Sequence, residues 1–579
     1  MLPTAAYTPS AVRIRRLLMK AMVLFACAAA VQAQVVLVPD APQIGSSNPV
    51  TAEPPVARPH TKPCVVKLFE NLEFADFTPK TYHYSPPPGC RGPWSKVVLT
   101  ADFTVTAGRQ FDRTAAFYLG HANIYYGTTA EPRSTLSPSW HVERDVTDLS
   151  ALFKTAEIGE ANIGNFVGVS GGVTYNGIIY ADAALEFYPA SRWEPSPRTP
   201  DIVIPVEGTG GDAGTLNTTS DQITQALNLP KNVERVYLDV IAQSQSNDEF
   251  WYFCVPNDQT GNLESCGNTA FRETEVTIDG IPAGVAPVYP WIYTGGIDPF
   301  LWEPIPGVQT LDFKPYRVDL TPFSGFLSNG ATHTVGVSVF NADSYFLATA
   351  NLLVFTDRAA KKVTGKVLSN TLGAAPTPVV SQNIKANAAG TMFTGSISVT
   401  SKRAFEIVGY VDTSHGSVET TVRQTVEFSS DQTFDVNPGA GAPDIQNARQ
   451  LTTVDATTTT RDPWHAEVLE QHSSYPLTID YSFVENSNGT YTQVTTVDQQ
   501  ELASEGPSTD GWEAGMGKLS NHVHSTDTLQ YDANFNFLGN SGSKTWQTYE
   551  QNDGHGHCYS RTLTADAKAL VSVDDGACR

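Results

Sequence analysis

Short runs of β-branched and aromatic residues, separated by turn-forming residues, dominate the chain from Cys64 onward. Several runs alternate apolar and polar positions, as in residues 96–106 (KVVLTADFTVT) and 333–340 (HTVGVSVF). Such alternation is typical of half-buried strands, and regularly spaced turns are typical of β-sandwiches and jelly rolls. Long helical patterns are absent, and the helix candidates are short, among them residues 146–153 and 221–228. The pattern therefore predicts an all-β protein.

The chain is too long for one hydrophobic core, because 579 residues exceed the size of a single domain. Composition changes twice, at a proline-rich loop near 189–200 and at the start of a Thr-, Ser- and Val-rich region after residue 360. We expect two jelly-roll or β-sandwich domains packed side by side, followed by a third β-rich region. The predicted ranges are an export signal at 1–33, a Pro-, Ser- and Ala-rich lead-in at 34–62, sandwiches at 63–195 and 196–358, and the C-terminal region at 359–579.

The first 33 residues have the composition of an export signal. Residues 13–20 carry three Arg and one Lys, residues 21–30 (AMVLFACAAA) are apolar, and Val31-Gln32-Ala33 offers a small-residue cleavage site. A lipoprotein signal is the alternative, since residues 24–27 (LFAC) loosely resemble a lipobox, although Phe25 fits that motif poorly. The apolar run is too short to span a bilayer. We therefore expect a secreted or periplasmic protein without stable membrane insertion.

The charge of the chain argues against nucleic acid as a partner. Lys and Arg total 37 against 60 Asp and Glu, which gives a net charge of −23. No basic block stands out that could meet the phosphates of DNA or RNA, so nucleic acid is not an expected partner.

Signal cleavage would remove Cys27 and leave six cysteines in three sequence-local pairs, which an exported chain would use as disulfides. These pairs are Cys64–Cys90, Cys254–Cys266 and Cys558–Cys578.

One short segment has the composition of a metal site. His555, His557 and Cys558 lie within four residues. A disulfide at Cys558 would remove that ligand and leave a glycine-rich turn. We therefore predict no metal and no cofactor.

Carboxylates and arginines recur in predicted turns, where a β scaffold presents functional groups. Asp112 lies in a charged turn directly before Arg113, whose cation would favour the ionised carboxylate. An Asp-Arg pair that only caps a strand explains the same residues. Further along, His141, Glu143 and Asp145 alternate onto one face, which is either a site or the solvent-facing side of a sheet.

Residues 288–302 (VYPWIYTGGIDPFLW) combine aromatic residues, prolines and a Gly-Gly pair in one short segment. Such a segment either fills the core beneath a long loop or forms an aromatic platform for the apolar faces of sugar rings. The residues leave both interpretations open.

Several of these segments occur in an order that resembles a known family. The motifs are residues 90–95 (CRGPWS), 108–115 (GRQFDRTA), 129–132 (TAEP), 271–273 (FRE), 293–299 (YTGGIDP) with Leu301-Trp302, and 320–323 (LTPF). Together they look like the acid-active peptide:N-glycanases of the peptide-N4-(N-acetyl-β-glucosaminyl)asparagine amidase A family. The resemblance is dense from about residue 90 to 357 and thin after residue 360.

The resemblance implies hydrolysis of the amide that joins N-acetylglucosamine to Asn in N-glycoproteins or N-glycopeptides. The intact glycan would leave, and Asn would become Asp. Such a reaction needs a carboxylate that activates water, an acid that protonates the leaving nitrogen, and a donor that stabilises the oxyanion. Acidic pH suits this chemistry when one carboxylate is ionised and a second, with a raised pKa, is protonated.

The resemblance also suggests site residues. Asp112 is the first candidate for the key carboxylate, because Phe111-Asp112-Arg113 resembles the Trp-Asp-Arg turn of bacterial peptide:N-glycanases with paired jelly rolls. Glu273 and Glu249 are the further catalytic candidates, and which carboxyl is base and which is acid stays open. The candidate substrate-binding residues are Arg113, Glu131, Trp140, Glu143, Trp251, Arg272, Tyr293, Asp298 and Trp302. We expect the two jelly rolls to bring these residues together at a cleft between them.

Two other functions fit the same residues. A non-catalytic glycan-binding or adhesin-like protein could use the aromatics and carboxylates for binding alone, and a glycoside hydrolase could use an Asp/Glu pair. The products separate the three: an amidase leaves Asp, a glycosidase leaves at least one sugar on Asn, and a binding protein changes nothing. The sequence leaves open the pH optimum, the tolerance of core fucose, the glycan class, the oligomeric state and the role of residues 360–579.

Overall fold

The computed structural model describes residues 42–208, 212–513 and 515–576. Antiparallel sheets dominate these ranges, so the predicted all-β class is confirmed. The predicted export signal at 1–33 and Cys578 lie outside the described residues. Of the helices in the described ranges, none is long and apolar enough to cross a membrane.

The first sandwich is a jelly roll. Its strands are β1 (Cys64–Phe74), β2 (Lys80–Tyr84), β3 (Trp94–Val105), β4 (Thr114–Leu119), β5 (Ala122–Thr128), β6 (Ser139–Asp145), β7 (Glu157–Ile163), β8 (Gly168–Ser170), β9 (Val173–Tyr175) and β10 (Ile179–Pro189). The eight longer strands form sheets in the orders β1-β10-β3-β6 and β2-β7-β4-β5, which is jelly-roll connectivity. Alternating apolar side chains of both sheets, Phe103 and Phe117 among them, meet between the sheets as the core.

The second sandwich repeats this connectivity. Its strands are β11 (Ile202–Val206), β12 (Gly214–Leu216), β13 (Ile223–Leu227), β14 (Val233–Gln245), β15 (Glu273–Ile278), β16 (Ile281–Pro287), β17 (Tyr316–Asp319), β18 (His333–Phe340) and β19 (Tyr345–Thr356). The sheet orders are β11-β19-β14-β17 and β13-β18-β15-β16, and the short β12 pairs with β19. The β2-β7-β4-β5 sheet of the first sandwich meets the β11-β19-β14-β17 sheet of the second, where Asn351 Nδ2 of β19 donates to the Asn123 carbonyl of β5 at 2.8 Å.

Helices are short and lie in connections. The α-helix α1 spans Ser324–Leu327, and the 3₁₀ helices span Thr147–Leu149, Leu152–Lys154, Ser246–Phe253, Pro299–Trp302 and Thr321–Phe323. The helix candidate at 221–228 is wrong, because Ile223–Leu227 pairs with His333–Val337 as a strand. Alternate burial of Ile223 and Leu227 shows that strand pairing outweighed the local helical pattern.

The C-terminal region forms one large antiparallel sheet, with twelve strands among the described residues. They are β20 (Thr364–Asn370), β21 (Val379–Ala386), β22 (Phe393–Thr413), β23 (Gly416–Val436), β24 (Asp444–Arg461), β25 (Ala466–Glu485), β26 (Tyr491–Thr509), β27 (Trp512–Glu513), β28 (Gly517–Tyr531), β29 (Phe537–Asn552), β30 (Cys558–Asp566) and β31 (Ala569–Asp575). Neighbouring strands up to 21 residues long follow one another through hairpins. We call this structure the C-terminal sheet.

One face of the C-terminal sheet covers the second sandwich. Apolar side chains such as Ile397 and Phe428 belong to the same continuous core as Val276 and Trp251 of that sandwich. Buried polar side chains of the sheet also satisfy loop backbone: the Gln499 Nε2 donates to the carbonyl of Pro290 at 2.7 Å, and its Oε1 accepts from the N–H of Val308 at 2.8 Å. The sheet therefore closes the core beneath the irregular loops of the second sandwich.

The described part of the lead-in, residues 42–62, packs against the C-terminal sheet. The N–H of Gly45 donates to the carbonyl of Leu570, and the N–H of Ala52 donates to Gln547 Oε1 at 2.7 Å. The disulfides Cys64–Cys90 and Cys254–Cys266 confirm two predicted pairs. Cys558 is also disulfide-bonded, while its predicted partner Cys578 lies outside the described residues.

Candidate active site

Loops of both jelly rolls meet at a group of carboxyl side chains. Asp112 lies in the turn between β3 and β4, and Glu131 follows β5. Gly295, from the loop between β16 and β17 of the second jelly roll, donates its N–H to Asp112 Oδ2 at 2.8 Å. The N–H of Asp112 in turn donates to Glu131 Oε2 at 3.2 Å. We call Asp112, Glu131 and the neighbouring Glu249 the carboxyl cluster.

The β4–β5 hairpin fixes the spacing within this cluster. Beyond the last ladder pair, Thr114 with Thr128, the N–H of Arg113 donates to Thr129 Oγ1 at 2.9 Å and the N–H of Thr129 donates to the Arg113 carbonyl at 2.8 Å. Across the domain junction, Thr294 Oγ1 donates to the Thr129 carbonyl at 2.8 Å. Rigid strand ends thus hold the carboxylates of the first jelly roll against the Thr294-Gly295 backbone of the second.

Arg113 supplies the positive charge beside the cluster. Its Nε lies 3.4 Å from Asn165 Oδ1, and its guanidinium lies over the Phe111 ring at 5.5 Å. Asn165 is fully buried and donates through Nδ2 to the carbonyls of Phe74 and Gly177. This fixed amide and the aromatic ring orient the guanidinium.

The carboxyl cluster has unequal proton affinities. Burial, followed by the negative charge of Asp112, raises the pKa of Glu131 to about 8. Glu249, on the 3₁₀ helix Ser246–Phe253, adds a further negative charge that raises this pKa, and the Arg113 cation opposes the rise. A pKa above neutral favours the protonated form of Glu131 beside the Asp112 side chain.

Gly295 allows the close approach of the two jelly rolls. A Cβ at this position would lie 2.1 Å from Glu131 Oε2 and 3.1 Å from Asp112 Oδ1. Any larger residue would displace the Glu131 carboxyl. Gly295 falls within the YTGGIDP motif, but no local pattern indicates that its N–H holds Asp112.

Polar side chains below the cluster join the jelly rolls. Gln243 of β14 bonds Thr114 Oγ1 and the Tyr126 hydroxyl, the latter at 2.8 Å, while Gln245 Nε2 donates to Thr114 Oγ1 at 3.1 Å. Tyr293 lies in the same layer, and its hydroxyl donates to the carbonyl of Ser244. Reasoning from sequence missed Gln243 and Gln245, because no local pattern indicates that they bridge two domains.

The structure does not bring Glu273 into the carboxyl cluster. Its side chain is 2% exposed and pairs with Arg403 of the C-terminal sheet, which also contacts Glu275 at 3.3 Å. Glu273 is the first residue of β15, which lies between β16 and β18. Because the side chain pairs with Arg403 of β22, it lies at the interface with the C-terminal sheet. The expectation that Glu273 lies beside Asp112 as the second carboxylate is corrected by this position: the carboxyl next to Asp112 is that of Glu131.

Arg272 is likewise a structural residue. Its guanidinium forms an ion pair with Asp248 at 2.7 Å, and both side chains are fully buried. The same guanidinium donates to the Thr269 carbonyl at 2.7 Å. Arg272 therefore holds together the loop closed by the Cys254–Cys266 disulfide, and the structure corrects its assignment to substrate binding.

Glu143 and Trp140 also lie elsewhere. Glu143 accepts from Arg58 Nη2 at 2.8 Å and contacts His141 Nε2 at 3.1 Å. Burial alone would raise the pKa of Glu143, but the hydrogen bonds from His141 and Arg58 lower it to about 2. Trp140 is 1% exposed and stacks on Phe103 at 5.2 Å, so it belongs to the core and cannot face a sugar.

The aromatic-rich segment 288–302 fills the core beneath the C-terminal sheet. Tyr293 is 5% and Trp302 3% exposed, and Trp302 Nε1 donates to the Gly296 carbonyl at 2.9 Å. Trp251 is fully buried as well, near Phe428 of the sheet. These three aromatic residues do not form the expected sugar platform, because their side chains are buried.

Asp298 is a buried helix cap that faces a second carboxyl. Its Oδ1 accepts from the N–H of Phe300 at 2.9 Å, which caps the 3₁₀ helix Pro299–Trp302. Burial, followed by the charge of Asp527 in the C-terminal sheet, raises the pKa of Asp298 well above its usual value. This pair joins the second jelly roll to the C-terminal sheet, so the structure corrects the assignment of Asp298 to substrate binding.

One group in the described ranges has the spacing of metal ligands: Glu234, Asp357 and His415. Glu234 already pairs with Arg198 at 3.3 Å, and Asp357 accepts from the hydroxyl of Ser414 at 2.9 Å. The group lies where the second jelly roll meets the β22–β23 hairpin and shares no residue with the carboxyl cluster.

Comparison with known proteins identifies the family. Residues 52–372 match the model of the family described as Peptide N-acetyl-beta-D-glucosaminyl asparaginase amidase A. The chain belongs to this amidase family. The match covers more than half of the chain and includes both jelly rolls and the carboxyl cluster. The predicted family and the enzyme class, a hydrolase acting on an amide, are confirmed.

A curated member of the amidase family matches beyond the jelly rolls. A peptide-N4-(N-acetyl-beta-glucosaminyl)asparagine amidase A of Prunus dulcis is 27% identical over 540 residues, which is 89% of this chain and 90% of that protein. An alignment of this length must extend into the C-terminal sheet. The alignment thus continues past residue 372, where the match to the family model ends.

Two solved structures have a weaker likeness. PNGase F, a glycosylasparaginase from Flavobacterium meningosepticum, has a TM-score of 0.33 at 12% identity, covering 51% of this chain and 96% of that chain. PNGF-II has a TM-score of 0.35 at 14% identity, covering 51% and 66%. Scores at this level carry no argument about fold or function.

Proposed function

We propose that this chain hydrolyses the β-aspartylglucosylamine bond of N-glycopeptides or N-glycoproteins, releases the intact glycan and converts Asn to Asp. The observation that carries this proposal is the pairing of Asp112 with Glu131 at the junction of two jelly rolls. The first carboxylate is held by a backbone N–H, and the second carries a raised pKa of about 8. An ionised base beside a protonated acid is the arrangement that amide hydrolysis requires.

The residues divide the work as follows. Asp112 accepts a proton from the attacking water, while its position is fixed by the Gly295 N–H. Glu131 donates its proton to the departing glycosylamine nitrogen, and Arg113 stabilises the oxyanion that forms on the former Asn carbonyl. Glu249 keeps the pKa of Glu131 high through its negative charge. This mechanism draws on the carboxyl cluster, the Arg113 guanidinium and the backbone N–H of Gly295.

A glycoside hydrolase would place its carboxylates on either side of a glycosidic bond, whereas the family match is to an amidase. We infer acidic to neutral working conditions, because the raised pKa of Glu131 keeps this acid protonated there. The composition of residues 1–33 supports secretion or periplasmic export as part of the proposal.

Mass spectrometry of one purified N-glycopeptide in H₂¹⁸O tests the reaction. Wild type is expected to yield free intact glycan and a peptide in which Asn has become Asp with one ¹⁸O atom in the new carboxyl. Asp112→Asn should abolish turnover, while Asp566→Asn, which changes an exposed carboxylate on β30, should not. A sugar left on Asn would establish a glycosidase, and full activity of Asp112→Asn would refute the assigned base.

A further inference from the structure

Two exposed tryptophans lie at neighbouring hairpin turns at one end of the C-terminal sheet. Trp464 lies in the turn between β24 and β25, and Trp512 directly follows the turn between β26 and β27, as the first residue of β27. Their exposed fractions are 79% and 82%. The buried tryptophans of the jelly rolls, such as Trp140 and Trp302, expose at most 4%. Two large apolar rings in solvent on adjacent turns indicate a binding surface.

Hydrogen bonds fix these turns relative to each other. His465 Nδ1 lies 2.9 Å from Asp510 Oδ2, and the N–H of Ala466 donates to Asp510 Oδ1 at 2.9 Å. Asp462 Oδ1 accepts from the N–H of Trp464 at 2.7 Å and thereby shapes the first turn. The backbone that carries the two rings is therefore held in place before any ligand arrives, which lowers the entropic cost of binding.

A polar groove of about 410 Å³ opens beside the Trp512 hairpin. Pro507 and Gly515, on either side of that hairpin, line its edge. The remaining lining is rich in groups that exchange hydrogen bonds with hydroxyls, namely Gln471, His472, Ser504, Glu505, Lys518 and Asn552. Amide, hydroxyl and carboxylate groups in a groove whose edge adjoins the hairpin of Trp512 suit a sugar, whose rings have an apolar face and a polar rim.

We propose that this end of the C-terminal sheet is a second carbohydrate-binding site, which holds outer residues of a neutral oligosaccharide. The inference rests on the proposed function in one respect: N-glycans are then the oligosaccharides that the protein meets. A neutral ligand is favoured because Asp462, Asp510 and Glu505 lie at the site and the chain carries a net charge of −23, which disfavours anionic sugars and anionic lipid. The site shares no residue with the carboxyl cluster.

Titration of a reduced neutral N-linked oligosaccharide tests this site, since the reduced sugar offers no bond for the amidase to cleave. Binding is followed by calorimetry with wild type, the double variant Trp464→Ala/Trp512→Ala, and Trp193→Ala. Trp193 is the matched control, because it is 83% exposed but lies in the connection between the jelly rolls. We expect the double variant to bind at least about fivefold more weakly and the control to bind like wild type.

Further variants separate this proposal from the proposed function. Asp112→Asn should lose hydrolysis and keep oligosaccharide binding, and the double variant Trp464→Phe/Trp512→Phe should retain part of the affinity. The two proposals can fail separately. If the wild type binds the oligosaccharide through both tryptophans but shows no amidase activity, the result supports this site and refutes the proposed function. Three results would overturn the site. All variants could bind the oligosaccharide with equal affinity, or the wild type could fail to bind it. In a parallel titration with vesicles of anionic lipid, the double variant could lose affinity for the vesicles but not for the oligosaccharide.

Discussion

Gly295→Ala tests how closely the two jelly rolls must approach at the carboxyl cluster. The added methyl would lie 2.1 Å from Glu131 Oε2. Non-bonded heavy atoms such as the new Cβ and Glu131 Oε2 come into ordinary contact at about 3.5 Å, so the Glu131 carboxyl must move away by about 1.4 Å. The backbone at Gly295 does not require glycine for its φ angle, so the methyl group itself is the perturbation.

The magnitude follows from the displacement. A misplacement of about 1 Å in a catalytic group costs on the order of a hundredfold in rate, which corresponds to about 2.7 kcal/mol in the barrier. We therefore expect kcat/KM to fall about a hundredfold. Thermal stability should change little, because the nearest atom is the far end of a flexible side chain rather than backbone.

The assay is release of glycan from a fluorescent glycopeptide, measured with a thermal unfolding scan of each variant. Gly261→Ala is the matched control, since a Cβ there has no atom within 4 Å and its φ is ordinary. Wild-type activity in Gly295→Ala would refute the assignment of Glu131. A large drop in the unfolding temperature together with lost activity would show that the contact is structural.

Three further predictions concern protonation and burial. Because the pKa of Glu131 is about 8, amidase activity should fall as pH rises above about 8, and Glu131→Gln should be weakly active with no such decline, which a pH–rate profile checks. Asp298 contributes fully to stability below its unfolded pKa and loses that contribution as pH rises through its raised folded pKa. Asp298→Asn should therefore gain stability over wild type at alkaline pH in urea titrations, and a pH-independent difference would contradict this. Arg403→Met leaves Glu273 buried without its cation and should lower the free energy of unfolding by about 3–5 kcal/mol. Arg423→Met removes an exposed ion pair with Glu406, whose side chains are 59% and 36% exposed, and should lower it by less than about 1 kcal/mol in the same urea titration. Equal losses in the two variants would refute the difference expected between a buried and an exposed ion pair.

The all-β class and the family could be predicted from the sequence because both depend on local signals. Alternation within strands such as residues 96–106 is a property of neighbours in the chain, and the family motifs are short and ordered. Asp112 could be singled out because its flanking residues form part of such a motif.

The partners of the other carboxylates could not be predicted. Glu273 and Glu131 both sit in family motifs, but the cation that pairs with Glu273 lies 130 residues further along, on a strand of the C-terminal sheet. Only the folded arrangement decides that Glu131 faces Asp112. The composition of segment 288–302 likewise fits a platform and a core plug equally, until the position of the sheet buries it.

The shared core of the second jelly roll and the C-terminal sheet has a consequence for synthesis of the protein. Side chains such as Trp251 and Phe428 belong to one apolar cluster, although they lie far apart in the chain. When the second sandwich has just emerged, its apolar loops have no cover, because roughly two hundred further residues supply it. A chain cut near residue 357 would expose these loops and aggregate, whereas the complete chain hides them as the last hairpins add to the sheet. The two jelly rolls that carry the proposed catalytic residues are thus completed late, by the successive addition of strands that contain none of those residues.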